Sequence, residues 1–142
     1  GVVEQPTFVA AGQAYADAAL SFHDSIDACV AAVEPNVVLI SSVLQYLPDP
    51  HGVLRQLGET SARTLVIDRT PQVPGADDIP VVQVVPPTIY EASYPAWLLS
   101  TPRLIADLPG WSLVDTFAGL EPTMRTTSGI ETDWCGMTFT RS

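Results

Sequence analysis

The sequence predicts a doubly wound α/β domain, and two observations predict it. Short apolar, β-branched runs alternate with helix-like segments from the first residue through Asp68. Polar residues gather where each of those runs ends: Glu4-Gln5, His23-Asp24-Ser25, Ser41-Ser42 and Asp68-Arg69-Thr70. Strand, helix, strand, helix, strand requires parallel pairing with right-handed crossovers, and such alternation is the pattern of an open α/β sheet.

The elements follow in order. Gly1 to Glu4 reads as the tail of a buried strand. Pro6 to Ala19 is alanine-rich, with Phe8, Ala11, Tyr15 and Ala19 on one face, and predicts a helix. Leu20 to His23 is a short second strand. Ser25 to Val33 forms a second helix with Ile26, Cys29, Val30 and Val33 as its stripe, and Pro35-Asn36 breaks it. Val37 to Ser42 is continuously apolar before its two serines, the pattern of a strand covered on both faces. Asp49-Pro50 opens a helix as N-cap and N1, with Val53, Leu54 and Leu57 facing inward. Thr64 to Asp68 is another buried strand. From Thr70 to Pro87, five prolines surround one alternating piece, Val81 to Val85, which predicts an extended excursion holding a short strand. Ser100-Thr101-Pro102 caps a helix that Pro109-Gly110 ends, and Trp111 to Phe117 and Trp134 to Thr140 form a final antiparallel pair.

The 142 residues match one domain, 1–142, and the 46% apolar content can supply its core. Sixteen acidic residues against six basic give a net charge of −10, and no lysine is present. That balance disfavours nucleic acid and anionic lipid as partners. No apolar run approaches the roughly 20 residues that a bilayer crossing requires, and no leader pattern opens the chain. Cys29 and Cys135 lie far apart and in no metal-ligand spacing, which reads as two buried thiols in a reducing cytoplasm.

Ligands of open α/β sheets bind at the carboxyl ends of the strands, which selects candidates. Glu4 can accept hydrogen bonds from ribose hydroxyls, or can be a solvated acid at a helix start. Asp24 is read chiefly as the cap of the second helix, with adenine contact secondary. Ser41 and Ser42 can place hydroxyls beside a cofactor or shape a turn. His51, in a first helical turn, is an exposed histidine or a base. The segment Ile89 to Trp97 holds Tyr90, Tyr94 and Trp97, as a satellite hydrophobic cluster or a substrate-facing wall.

Taken together, VVEQP, LSFHDSI, VVLISSVLQYLPDP, TLVIDRTP, VVPPTIYEASYPAWLLS and WSLVDTF resemble a family of class I S-adenosylmethionine-dependent methyltransferases known mostly from bacteria. The LQYL, IDRTP and ASYPAW pieces carry the specific part. The resemblance implies a Rossmann-like class I methyltransferase sheet, mainly parallel with an antiparallel C-terminal strand pair. It implies S-adenosylmethionine as cofactor, with Glu4 at the ribose and Gln5 also in the cofactor site, Phe22, His23 and Asp24 at the adenine, and Ser41, Ser42 and Val43 near the methyl. Gln45, Tyr46, Arg69, Tyr90, Tyr94 and Trp97 would shape the pocket of a small-molecule or glycan-like acceptor, and His51, Tyr46 and Asp68 are the candidate bases. Because methyl transfer chiefly needs alignment of acceptor, methyl and sulfur, a dedicated base is optional. No metal is implied.

The family's first strand and glycine-rich turn have no counterpart in the 142 residues. With the family's strand order, its absence leaves a gap of roughly 9.6 Å between the strands ending at Glu4 and Ser42. Direct pairing, a second copy in a homodimer, or a missing part of a longer domain could fill it; the expected case is the C-terminal part of a longer methyltransferase. A non-catalytic binding module and a sugar-nucleotide enzyme are the alternatives to methyl transfer.

Overall fold

A computed structural model describes residues 1–141. Its elements are β1 (Val2–Val3), α1 (Pro6–Gly12) running into a 3-10 turn (Gln13–Tyr15), β2 (Phe22–His23), α2 (Ile26–Val33) and β3 (Val37–Ser41). A second 3-10 turn (Leu44–Tyr46) leads to α3 (Pro50–Gly58) and β4 (Thr64–Val73). Then come β5 (Ile79–Val84), β6 (Ser93–Ser100), α4 (Thr101–Ala106), β7 (Trp111–Ala118), β8 (Met124–Arg125) and β9 (Glu131–Arg141).

The predicted mainly parallel, Rossmann-like sheet does not form. The strands divide into a two-stranded sheet, β1 beside β2, and a seven-stranded mixed sheet of order β5-β6-β4-β9-β7, with β3 also beside β4 and β8 beside β9. Four of the six pairings in the larger sheet are antiparallel. Parallel pairing is confined to β1 with β2, β3 with β4, and two residue pairs between β4 and β6. β1 and β3 belong to different sheets and do not pair.

Two local causes produce the difference. First, β4 does not end at Asp68. Asp68 and Arg69 together oppose Gly136 in a bulge, Arg69 takes a positive φ of 50°, and the strand resumes at Thr70. Its ten residues therefore pair with β9 on both sides of the bulge. Gly136 opposite the bulge leaves room for the Phe117 ring, which a Cβ there would meet at 2.1 Å. Second, Ser93–Ser100 is a strand, so the proline-rich excursion closes as a β5–β6 hairpin from Ile79↔Leu98 to Val84↔Ser93. Pro80 lies on the edge strand β5, where a missing N–H is tolerated.

The core lies between one face of the larger sheet and helices α3 and α4. Ile40, Leu65, Ile67, Leu99, Met137 and Phe139 from the strands meet Leu54 and Leu57 of α3 and Leu104 of α4. The α3 stripe is as predicted, and Asp49 caps the helix by accepting from the Gly52 N–H at 2.8 Å. Ile26 of α2 packs against this cluster, and Gln56 donates to Asp27 at 2.9 Å, joining the two-stranded sheet to the larger one. β3 is not covered on both faces: Ile40 is buried, while Val37 and Leu39 are 58% and 64% exposed. The first predicted helix is shorter than expected, because Gly12 runs into the 3-10 turn. Gly12 also seats α1 directly on Phe22, whose ring a Cβ would meet at 2.6 Å. Among the described residues no helix is long and apolar enough to cross a membrane.

Candidate functional site

At the tip of the small sheet, the Glu4 N–H donates to the His23 carbonyl at 3.0 Å, extending the ladder by one rung. The Glu4 carboxylate is exposed and accepts from the adjacent Gln5 N–H at 3.1 Å. Gln5 is the N-cap of α1, its carbonyl receiving the Phe8 and Val9 amides. The His23 ring bonds Ser21 Oγ at 2.9 Å. Asp24 does not cap α2; Ser25 does, accepting from the Ala28 N–H at 3.3 Å. Ser25 has the extended backbone of a cap and stands three residues before Ala28, whereas Asp24 is one position too early. The exposed Asp24 carboxylate is left for other contacts.

At the tip of the β3–β4 pair, Ser41 and Asp68 are register partners, and Ser41 Oγ donates to Asp68 Oδ2 at 2.9 Å. Ser42 turns the chain with a φ of 58° while its N–H donates to the Asp68 carbonyl at 3.0 Å. Its hydroxyl accepts from Gln45 Nε2 at 3.3 Å. Gln45 is fully buried, and its Oε1 has no partner among the described residues, a cost of about 1–3 kcal/mol. Val43 is exposed beside it.

The turn that follows carries Tyr46 into an open recess of about 400 Å³ lined by Tyr46, Tyr90, Tyr94 and Pro95. Tyr46 and Tyr94 meet edge to face, centroids 5.4 Å apart at 80°, a preferred aromatic arrangement. Tyr46 Oη donates to Gln83 Oε1 of β5 at 3.0 Å. Burial first, then Tyr90 and Tyr46, push the Tyr94 phenol up to about 12, so it stays a neutral donor at neutral pH. Three tyrosines named from sequence thus share one recess. Trp97 takes a different role: its Nε1–H donates to the Leu47 carbonyl at 3.1 Å and its ring packs on the core, tying the Tyr46 turn to β6. Arg69 turns away and pairs with Glu121.

His51 is not exposed. It is 7% accessible, with Nδ1 on Asp107 and Nε2 on Asp78 Oδ2 at 2.7 Å, so no ring nitrogen is free. Nothing in the local pattern signalled this, since its partners lie 27 and 56 residues away. A second open recess of about 400 Å³, at the far end of β4, was not predicted either. There Thr101 Oγ1 donates to Gln72 Oε1 at 3.1 Å and Thr132 Oγ1 to the Gln72 carbonyl at 2.6 Å. Cys135 lines it, only partly buried rather than buried as predicted; burial and Asp133 raise its thiol, which stays protonated. Cys29 is buried, and both thiols are free.

No protein-family model matches this chain, and no curated protein sequence matches it.

Proposed function

We propose that the chain supplies adenosine-facing and acceptor-facing residues of an S-adenosylmethionine-dependent methyltransferase for a small-molecule or glycan-like acceptor. The observation that carries the reading is the path of hydrogen bonds at the β3–β4 tip. It runs from Asp68 through Ser41 and from Ser42 through Gln45 to the turn bearing Tyr46 and the tyrosine recess.

The residues fit the adenosine half of the cofactor. Glu4 spends one bond on a neighbouring amide and keeps acceptor capacity for ribose hydroxyls, with His23 one rung across and Asp24 free beside it. They do not fit the methionine half, because the chain has no glycine-rich turn; Arg69, expected at the acceptor, is committed to Glu121. When bound, the cofactor would supply an electrophilic sulfonium methyl. The tyrosine recess would orient the acceptor, with Tyr94 as a neutral hydrogen-bond donor. Of the three candidate bases, His51 has both nitrogens bound and Tyr46 donates to Gln83, which leaves Asp68, at the tip, as the group able to take a proton.

Amide-resolved NMR titration with S-adenosylhomocysteine tests this. Shifts should localise to Glu4, His23 and Asp24, and Glu4→Gln should weaken binding about 10- to 100-fold, the worth of a charge-assisted hydrogen bond. Saturating nucleoside with no shift at these amides would overturn it. A second reading, a non-catalytic binding module, draws on the strand tips being divided between two sheets while the recesses lie away from Glu4. Ligand-induced shifts at Tyr46, Tyr90 and Tyr94 without any response to nucleoside would favour it.

A further inference from the structure

His51 stands at a junction of three segments. It is the second residue of α3; Asp78 immediately precedes β5; Asp107 is the C-cap of α4. Each ring nitrogen faces a carboxylate oxygen, and both carboxylates are enclosed, their side chains 7% and 15% exposed. The remaining charged partners stand behind them. Arg55 of α3 reaches Asp107 Oδ1 at 2.8 Å, and Arg103 of α4 reaches Asp78 Oδ2 at 2.6 Å, both arginines half exposed. Asp78 Oδ1 also accepts from the Ser100 N–H at 2.8 Å.

A neutral imidazole has one N–H. In this geometry it could donate to one carboxylate only and would turn a lone pair on the other, at hydrogen-bond distance and shielded from water. With both carboxylates ionised, the imidazolium alone satisfies both contacts. Burial works against an ionised Asp78, but the Ser100 amide, His51 and Arg103 outweigh it and hold that carboxyl below its ordinary 3.8.

The cluster also has a place in the fold that gives the proton a consequence. Asp78 adjoins Ile79, the first residue of β5, and Ser100 is the last residue of β6. Ile79 pairs with Leu98, so the cluster closes the open end of the β5–β6 hairpin. Further along that hairpin, Gln83 holds Tyr46, and Tyr94 forms a wall of the recess.

We propose that His51 is a proton-operated clamp: its imidazolium form fastens the base of the β5–β6 hairpin and α4 to α3, and loss of that proton loosens the hairpin and the tyrosine recess it carries. The link to acceptor binding rests on the methyltransferase reading; the clamp itself does not. Because the closed state holds the extra proton, closure is favoured on the acidic side of the histidine's titration and weakens as pH rises through it.

The chain holds two histidines, so ¹⁵N spectra of the protein and of His23→Gln isolate the His51 ring. Both ring nitrogens should carry a proton wherever the hairpin is closed, each facing its carboxylate. Hydrogen exchange of residues 79–84 and 93–100, corrected for the intrinsic effect of pH, should accelerate by up to tenfold per pH unit as the ring titrates, the slope of one proton. Amides pairing β3 with β4 should not follow. His51→Gln should abolish the dependence. Should that variant fail to fold, Asp78→Asn tests the same point, because its ring should show one proton where the parent shows two. A neutral ring in the closed hairpin, or equal pH dependence in His51→Gln, would overturn the proposal. Neither readout involves the cofactor, so failure of the methyltransferase reading would be seen separately.

Discussion

Replacing Trp97 by phenylalanine should loosen the Tyr46 turn from β6 while leaving a ring on the core. The indole Nε1–H is the donor that reaches the Leu47 carbonyl, at 3.1 Å. Phenylalanine keeps an aromatic face toward the cluster that Trp97 joins but has no donor. A neutral hydrogen bond contributes about 0.5–1.5 kcal/mol net, and a carbonyl left poorly solvated adds to the loss, so about 1–2 kcal/mol is expected. With a urea slope near 2 kcal/mol/M, the midpoint should fall by roughly 0.5–1 M at unchanged slope. The turn should then be free to move relative to β6, which changes the Tyr46–Tyr94 contact, now at 5.4 Å. Tyrosine ring resonances of Tyr46 and Tyr94 should therefore shift, while those of Tyr15, in the 3-10 turn after α1 and outside the recess lining, should not. An unchanged urea midpoint together with unshifted Tyr46 resonances would refute the assignment of Trp97 as the tether of the recess.

Two leucines should differ sharply in thermal or urea unfolding. Leu54→Ala removes a fully buried core side chain and should cost about 2–5 kcal/mol, whereas Leu39→Ser, at a position 64% exposed, should change stability by less than about 0.5 kcal/mol. A large loss for Leu39→Ser would mean that the open face of β3 is covered in solution. Acid unfolding followed by circular dichroism should reveal Asp78. Its carboxyl lies below the ordinary 3.8, so its contribution is complete above that value and is lost as pH falls beneath it. Asp78→Asn should flatten that part of the curve, and coincident acid limbs for variant and parent would contradict the role given to it.

Much of the local structure was legible in the sequence because it depends on neighbours along the chain. Asp49 and Pro50 specify the start of α3, and the three-four spacing of Leu54 and Leu57 specifies its inward face. The apolar runs at Val37 and Thr64 do pair in parallel. Tyr90 and Tyr94 could be nominated together because aromatic residues so concentrated beside a long connection need a common surface; Tyr46 joins them only through the family resemblance. Elsewhere short-range signals misled. The short strand expected at Val81 to Val85 is β5, but its partner β6 at Ser93–Ser100 reads only as an aromatic segment, because nothing local marks it as the return strand of a hairpin. Asp24 and Ser25 both suit a cap, and one residue of register decided between them.

Composition and pattern by themselves determined a folded, acidic chain, most helix starts, the inward stripe of α3 and the polar ends of β1, β2 and β3, though not the course of β4 past Asp68. Tertiary structure alone decided that β9 flanks β4, because the antiparallel partners of β4 come from residues some 60 to 80 positions later, and no local period encodes which strand returns beside which. It alone decided His51 as well, an ordinary residue of a first helical turn until the chain brings Asp78 and Asp107 to its two nitrogens. Periodicity reports which side of an element is buried. The identity of what buries it, and so the charge and chemistry of a side chain there, is set by contacts between residues far apart in sequence.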